Sequence, residues 1–188
     1  VRRGTLIVLA GPSGVGKGSV VERLRSRDPE GLAVSVSVTT RDPRPGEVEG
    51  VDYFFISDEA FDRLIADGQL LEWAEIVGHR SGTPAAFVEE TLAAGRDVIL
   101  EIDVKGATQV RALRPEAVEI FLVPPSFDEL ERRLRGRGTE DEERVARRLE
   151  TARWELQQEG WFDARVVNDD LDRAVEEVAA IIEASRTR

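Results

Sequence analysis

Residues 5–24 leave this chain few choices of fold. Thr5 to Ala10, TLIVLA, is a continuous apolar run with none of the alternation of a strand that has one wet face. It reads as a strand buried on both sides, as in a parallel sheet. A glycine-rich turn follows: Gly11, Pro12, Ser13, Gly14, Val15, Gly16, Lys17, Gly18, Ser19. Val20, Val21 and Leu24 then recur at helical spacing. Strand, loop and helix in that order, with Gly11 and Gly16 five apart and Lys17 next, make a phosphate-binding loop. The glycines let successive backbone N–H groups turn inward as an anion nest. The helix behind them aims its positive N-terminal end at the same point. Lys17 is expected to reach the β- and γ-phosphates of a nucleoside triphosphate. One position departs from the pattern: Gly18 stands where a serine or threonine hydroxyl commonly ligates Mg²⁺. Either Ser19 substitutes, or phosphates and water hold the ion, a shell that Mg²⁺ accepts readily. No direct protein ligand is assigned.

Three more apolar runs read as core strands: Asp97 to Ile102, Val118 to Val123 and Ala164 to Val167. Helical patterns separate them, which predicts an α/β architecture around a parallel sheet. Ser126 with Glu129, and Thr139 with Glu142, fit capping boxes at two helix starts, and a last helix starts near Asp170. Residues 34–83 differ in texture. Val34, Val36 and Val38 alternate, Asp42 to Gly50 is turn-rich, and short strands flank a helix near Asp58 to Ala66. This is expected to be a small, mostly antiparallel lobe inserted into the core. Residues 135–146 are rich in glycine and charge and suggest a small lid. The 188 residues thus make a single domain, with its core in 1–33, 84–134 and 147–188.

The net charge of −11 argues against a nonspecific nucleic-acid binder. Without cysteine there are neither disulfides nor thiolate metal sites, and no apolar run is long enough for a membrane span. The arginines and short apolar run near Val1 lack a following cleavage site, so a cytoplasmic protein is expected. Lysine occurs only at 17 and 105, which singles out the lysine of the loop.

GPSGVGK (11–17), SVTTRDPRPGE (37–47), VDYFF (51–55), LLEWAE (70–75), LEIDVKGA (100–107), PPS (124–126), GRGTE (136–140) and VNDD (167–170) follow one another in register. Together they resemble guanylate kinase, from Thr5 to about Glu183. The resemblance implies a P-loop nucleoside monophosphate kinase core, a GMP-binding lobe and a lid. It also implies transfer of phosphate from ATP to GMP, and to dGMP, with Mg²⁺ accompanying ATP. By the same resemblance Arg41 and Arg44 hold the GMP phosphate with Tyr53, as suits the planar guanidinium fork. Glu72 accepts from guanine N1–H and the 2-amino group, which adenine cannot offer. Ser37 and Thr83 donate to O6, and Asp103 contacts the base or orients Arg41. Arg133, Arg137 and Arg148 match lid-region arginines that close on the transferring group. Glu101 is a candidate for the outer shell of Mg²⁺, and Asn168 for adenine.

Several of these residues have plainer alternatives. Arg41 and Arg44 could be solvated, Tyr53 a half-buried aromatic, Glu72 an exposed strand residue, and Asp103 and Asn168 helix caps. Arg144 and Arg148 lie one turn apart and could pair with Glu140 or Asp141. The family often carries a tyrosine where this chain has Ser81; Arg80 is a candidate to compensate, and His79 reads as incidental. Two rival functions stay open: a kinase of the same fold acting on another phosphorylated acceptor, and a non-catalytic binding module. ATP and GMP are the expected partners, in a monomer or small homo-oligomer, with neither nucleic acid nor membrane.

Overall fold

The computed structural model describes residues 2–76, 78–136 and 142–186. In chain order its elements are β1 (Leu6–Ala10), α1 (Lys17–Arg27), β2 (Leu32–Val34), β3 (Val38–Thr39), β4 (Phe54–Phe55), α2 (Asp58–Ala66), β5 (Leu70–Ile76), β6 (His79–Pro84), α3 (Ala85–Ala93), β7 (Asp97–Glu101), α4 (Val104–Leu113), β8 (Val118–Val123), α5 (Phe127–Arg135), α6 (Glu142–Leu156), β9 (Ala164–Val167) and α7 (Leu171–Ser185). The strands β2, β7, β1, β8 and β9 lie side by side in that order, all parallel. Because β1 is central, both of its faces must be apolar. Leu6, Val8 and Ala10 pack towards α3 and α4, while Ile7 and Leu9 pack towards α1 and α7. A third apolar cluster joins α5 to α6 through Leu130, Leu134, Val145, Leu149 and Ala152.

The core sheet holds one strand that the apolar runs did not announce. Val34 does not alternate with Val36 and Val38 along a lobe strand. It ends β2 and pairs with Ile99 in the core, whereas Val38 belongs to β3 in the other sheet. The chain crosses between sheets at residues 35–37. A three-residue edge strand is too short to carry a period of its own, and the apparent alternation joins two unrelated sheets.

The second sheet has the order β4-β3-β6-β5. β6 runs antiparallel to both β3 and β5, and β3 runs parallel to β4. Phe61 of α2 is fully buried and meets Trp73 edge-on at 6.1 Å, and Gln109 of α4 accepts from the Trp73 N–H (3.1 Å) and donates to its carbonyl (2.8 Å).

Side chains of Ser57, Asp103, Ser126 and Asp170 cap α2, α4, α5 and α7, each accepting from the N–H three residues on. At Ser126 only half of the expected box forms, because the Glu129 carboxylate turns to Arg133. Thr139 and Arg137 lie outside the described residues. Among the described residues no helix is long and apolar enough to cross a membrane.

Candidate active site

The phosphate loop leaves the C-terminal end of β1 and enters α1, at the sheet edge where open α/β folds bind ligands. Its shape is fixed from outside. Asn168, buried at the end of β9, donates from Nδ2 to the Val15 carbonyl (2.7 Å). Arg133 of α5 donates to the same carbonyl (3.4 Å) and to the Asn168 carbonyl (3.2 Å), while Glu129 holds its Nε (2.9 Å). Gly16 has φ +100°, and a Cβ there would stand 2.5 Å from Asn168 Nδ2, so both backbone and contact demand glycine. Asn168 is therefore no helix cap, since Asp170 caps α7; its amide staples the loop. Lys17 donates to the carbonyls of Gly11 (2.6 Å) and Pro12 (3.4 Å), and Arg148 reaches Ser13 Oγ (2.5 Å). Glu101 ends β7 close by. Burial pushes its carboxyl up, and the Lys17 ammonium draws it partly back.

Across the cleft, the β5–β6 register sets Glu72 opposite Thr83. Glu72 is only 6% exposed and accepts from the Thr83 hydroxyl at 2.7 Å. Burial pushes its carboxyl up to about 7; the Thr83 hydrogen bond opposes that rise and the Asp103 charge adds to it. Beneath it lies Gly106 in the first turn of α4. A Cβ at Gly106 would come within 2.7 Å of Glu72 Oε2, so no larger residue fits. Asp103 takes the role of cap, accepting from Gly106 N–H at 2.7 Å.

Arg41 is held within its own turn. Its two terminal nitrogens donate to both oxygens of Glu47 (2.8 and 3.0 Å), and its guanidinium lies 5.3 Å from the Tyr53 ring and 5.9 Å from that of Phe55. A cleft of about 880 Å³ lies along α1 and residues 29–37; Gly18, Glu101, Ser37 and Tyr53 line it, while Lys17, Arg41, Glu72 and Thr83 are not among its lining residues.

The family model for guanylate kinase matches residues 3–185. This chain belongs to the guanylate kinase family. It is 56% identical to the guanylate kinase of Thermobifida fusca over 97% of its own length and 93% of that protein's. It is 59% identical to the guanylate kinase of Parasynechococcus marenigrum, covering 92% of this chain and 94% of that one. Among solved structures, the guanylate kinase of Anaplasma phagocytophilum superposes with a TM-score of 0.81 at 32% identity, over all of this chain and 88% of its own.

Within the guanylate kinase frame, several placements were not legible beforehand. Glu47, and not Asp103, holds Arg41; it also accepts from Arg44 N–H at 2.7 Å, and Arg41 beside it holds its carboxyl down at about 2. The only signal for it was an acidic residue six positions after Arg41 in one turn-rich segment. The Arg44 side chain is exposed. Arg80 gives no substitute for the tyrosine absent at Ser81. Its guanidinium is drawn to Asp58 (2.8 Å) and Asp62 (2.5 Å) on α2 and stacks 4.8 Å from the Phe61 ring.

Proposed function

We propose that this chain transfers the γ-phosphoryl group of ATP to GMP, forming ADP and GDP. The observation that supports this reading is the buried Glu72–Thr83 pair, set against the Gly106 backbone, in a chain that also carries an intact phosphate loop. An ionised Glu72 accepts N1–H and the 2-amino group of guanine, and the hydroxyls of Ser37 and Thr83 turn to O6. Adenine would set an acceptor nitrogen against that carboxylate, and a buried acceptor left facing another acceptor is strongly disfavoured. Asp103 keeps its second oxygen for the base side.

The GMP phosphate is bound by Arg41, Arg44 and Tyr53. With Arg41 already held by Glu47 and stacked beside Tyr53, little ordering remains for the phosphate to impose. Already an anion, the phosphate needs no strong base. One of its oxygens attacks Pγ in line, the bond from Pγ to the β–γ bridging oxygen breaks, and ADP leaves with that electron pair. Catalysis is then positioning and charge stabilisation. Lys17 moves from the loop carbonyls to the β- and γ-phosphates, and Arg133, Arg148 and Arg137 surround the transferring group. Asn168 meets adenine through its amide oxygen, while its nitrogen gives one of its two hydrogens to Val15.

A Mg²⁺ ion suits this site with few protein ligands. A Cβ at Gly18 would lie 3.7 Å from Glu101 Oε1, an ordinary contact, so one carboxylate stands beside the first turn of α1. Among the described residues no group of three acidic or histidine side chains converges to hold a metal. Glu101 would hold a water of the ion's shell, with Ser19 nearby. When bound, the ion neutralises charge on the β- and γ-phosphates.

Purified protein with ATP and Mg²⁺, offered GMP, dGMP, AMP, CMP, UMP and sugar phosphates, tests the proposal. GDP formation that far outpaces the other products is expected. Turnover of another acceptor in preference to GMP overturns the guanine assignment, and no turnover with any acceptor favours a binding module. Lobe and lid closure over the cleft should also show as compaction in small-angle scattering when both nucleotides are present.

A further inference from the structure

The guanine side has a tether that the reaction as drawn does not use. β5 is an edge strand: β6 lies along one side of it, and among the described residues no strand lies along the other. At Trp73 that outer edge meets α4 instead. The carboxamide of Gln109 accepts from the Trp73 N–H at 3.1 Å and donates to the Trp73 carbonyl at 2.8 Å. The N–H and C=O of one residue leave an antiparallel strand on the same side, and a neighbouring strand normally takes both. Here a single side chain stands in for that strand. A carboxamide suits the task, because it sets a donor and an acceptor side by side on one plane.

The place of this bridge gives it its consequence. Trp73 directly follows Glu72, and side chains alternate between the two faces of a strand. Fixing the backbone at Trp73 therefore fixes the direction in which Glu72 points. Gln109 lies three residues after Gly106 on α4, so the two share one face of the helix. That face meets β5 at two successive residues: the Gly106 backbone stands against Glu72 Oε2, and the Gln109 amide grips Trp73. From the other side β6 comes as close as main chain allows, since a Cβ at Gly82 would meet the Glu72 carbonyl at 2.8 Å. Glu72 is thus clamped between a strand and a helix. A carboxylate that tells bases apart through two hydrogen bonds must be held to within about half an ångström.

We propose that Gln109 is a positioning residue for acceptor recognition. By holding the edge of β5 to α4 it aims Glu72 at the purine, and it strengthens the preference for GMP over AMP without touching either. The inference rests on the reading of guanine by Glu72 proposed above. Two neutral hydrogen bonds, each worth roughly a fivefold change in an equilibrium, limit the effect to about thirtyfold. Without them the Trp73 groups turn to water, which the partly exposed edge admits, and β5 is free to shift away from Gly106.

Two substitutions test this in the full chain. Gln109→Met keeps the length of the side chain and removes both bonds; Gln109→Ala removes the side chain as well. Steady-state kinetics with ATP and Mg²⁺, using GMP and AMP in turn, should show KM for GMP raised about tenfold in each variant. The ratio of kcat/KM for GMP over AMP should fall about tenfold, with KM for ATP unchanged. Hydrogen exchange followed by NMR should find the Trp73 amide protected in the wild type and exchanging about tenfold faster in each variant. Should Gln109→Ala fail to fold, Gln109→Met decides. An unchanged GMP-to-AMP ratio in Gln109→Met overturns the proposal. So does a rise in KM for ATP equal to that for GMP, which is the mark of general loosening. A Trp73 amide that exchanges equally fast in all three proteins means that no bridge forms, and overturns it too. If the wild type does not phosphorylate GMP, the functional reading itself fails and the role of Gln109 falls with it, whatever the exchange rates.

Discussion

The two sides of the cleft are built by opposite means. The phosphate loop is fixed by side chains far away in the chain. Asn168 and Arg133 grip Val15 across 153 and 118 positions, and Arg148 reaches Ser13 across 135. The Arg41–Glu47 turn of the lobe is fixed by its neighbours, with Arg41 and Arg44 meeting Glu47 across six and three positions. The loop sits on a fully buried five-residue strand, whereas β3 and β4 have two residues each. The donor side thus takes shape only when the whole core has folded, and it then stays put. The Arg41–Glu47 turn carries its geometry with it, whereas Glu72 on the same side owes its surroundings to Gly106 of α4 as well as to Thr83.

Substitutions on each side should break this contrast in different ways. The largest effect is expected from Lys17→Ala, with turnover falling on the order of 10²–10³-fold while the melting temperature barely moves, because the loop is held by other residues. A coupled assay of GDP formation beside a thermal melt checks both halves. Glu72→Gln should reduce the preference for GMP over AMP on the order of a hundredfold. The same change should stabilise the empty protein at alkaline pH. The folded carboxyl titrates near 7 against an ordinary 4.5. Its burial penalty is therefore absent below about 4.5, grows between the two values and is complete above 7, reaching roughly 3 kcal/mol at most. Denaturant melts at pH 5 and pH 8 should diverge between wild type and variant accordingly.

Asn168→Ala tests the long-range side of the contrast. Loss of the bond to Val15 should lower stability by about 1–3 kcal/mol and raise KM for ATP, with KM for GMP unchanged. If KM for GMP rises equally, the loop and the lobe are not independent. Acidity should act on the other side. On the proposed reading of guanine by an ionised Glu72, KM for GMP should rise about tenfold between pH 8 and pH 6, and Glu72→Gln should flatten that dependence. The smallest effect is expected from Glu47→Gln. It loosens Arg41 without removing it and should raise KM for GMP a few-fold, more at low salt than at high.

How far each part was legible follows from the range of its contacts. β1, β7 and β8 declare themselves because burial on both faces leaves a largely apolar run, whereas β9 is an edge strand of four residues with Arg165 exposed and signals itself more weakly. β2 does not, because three residues at a sheet edge carry no pattern. The phosphate loop is local, so its spacing names it. The staple that shapes it is not local, and Asn168 beside Asp169 and Asp170 looks like a cap until β9 is set against the loop. Glu72 is a strand carboxylate like any other until its register with Thr83 and the approach of α4 bury it. Glu155 lies on the helical stripe that Val145, Leu149 and Ala152 mark as core, and nothing in that periodicity announces a buried acid.

The missing side chain at Gly106 has a consequence for change over time. Any side chain there would meet Glu72 Oε2 at 2.7 Å, so substitution at this position can only push the carboxylate aside. Variation is therefore easier at Ser37, Ser81 or Thr83 than at the first turn of α4.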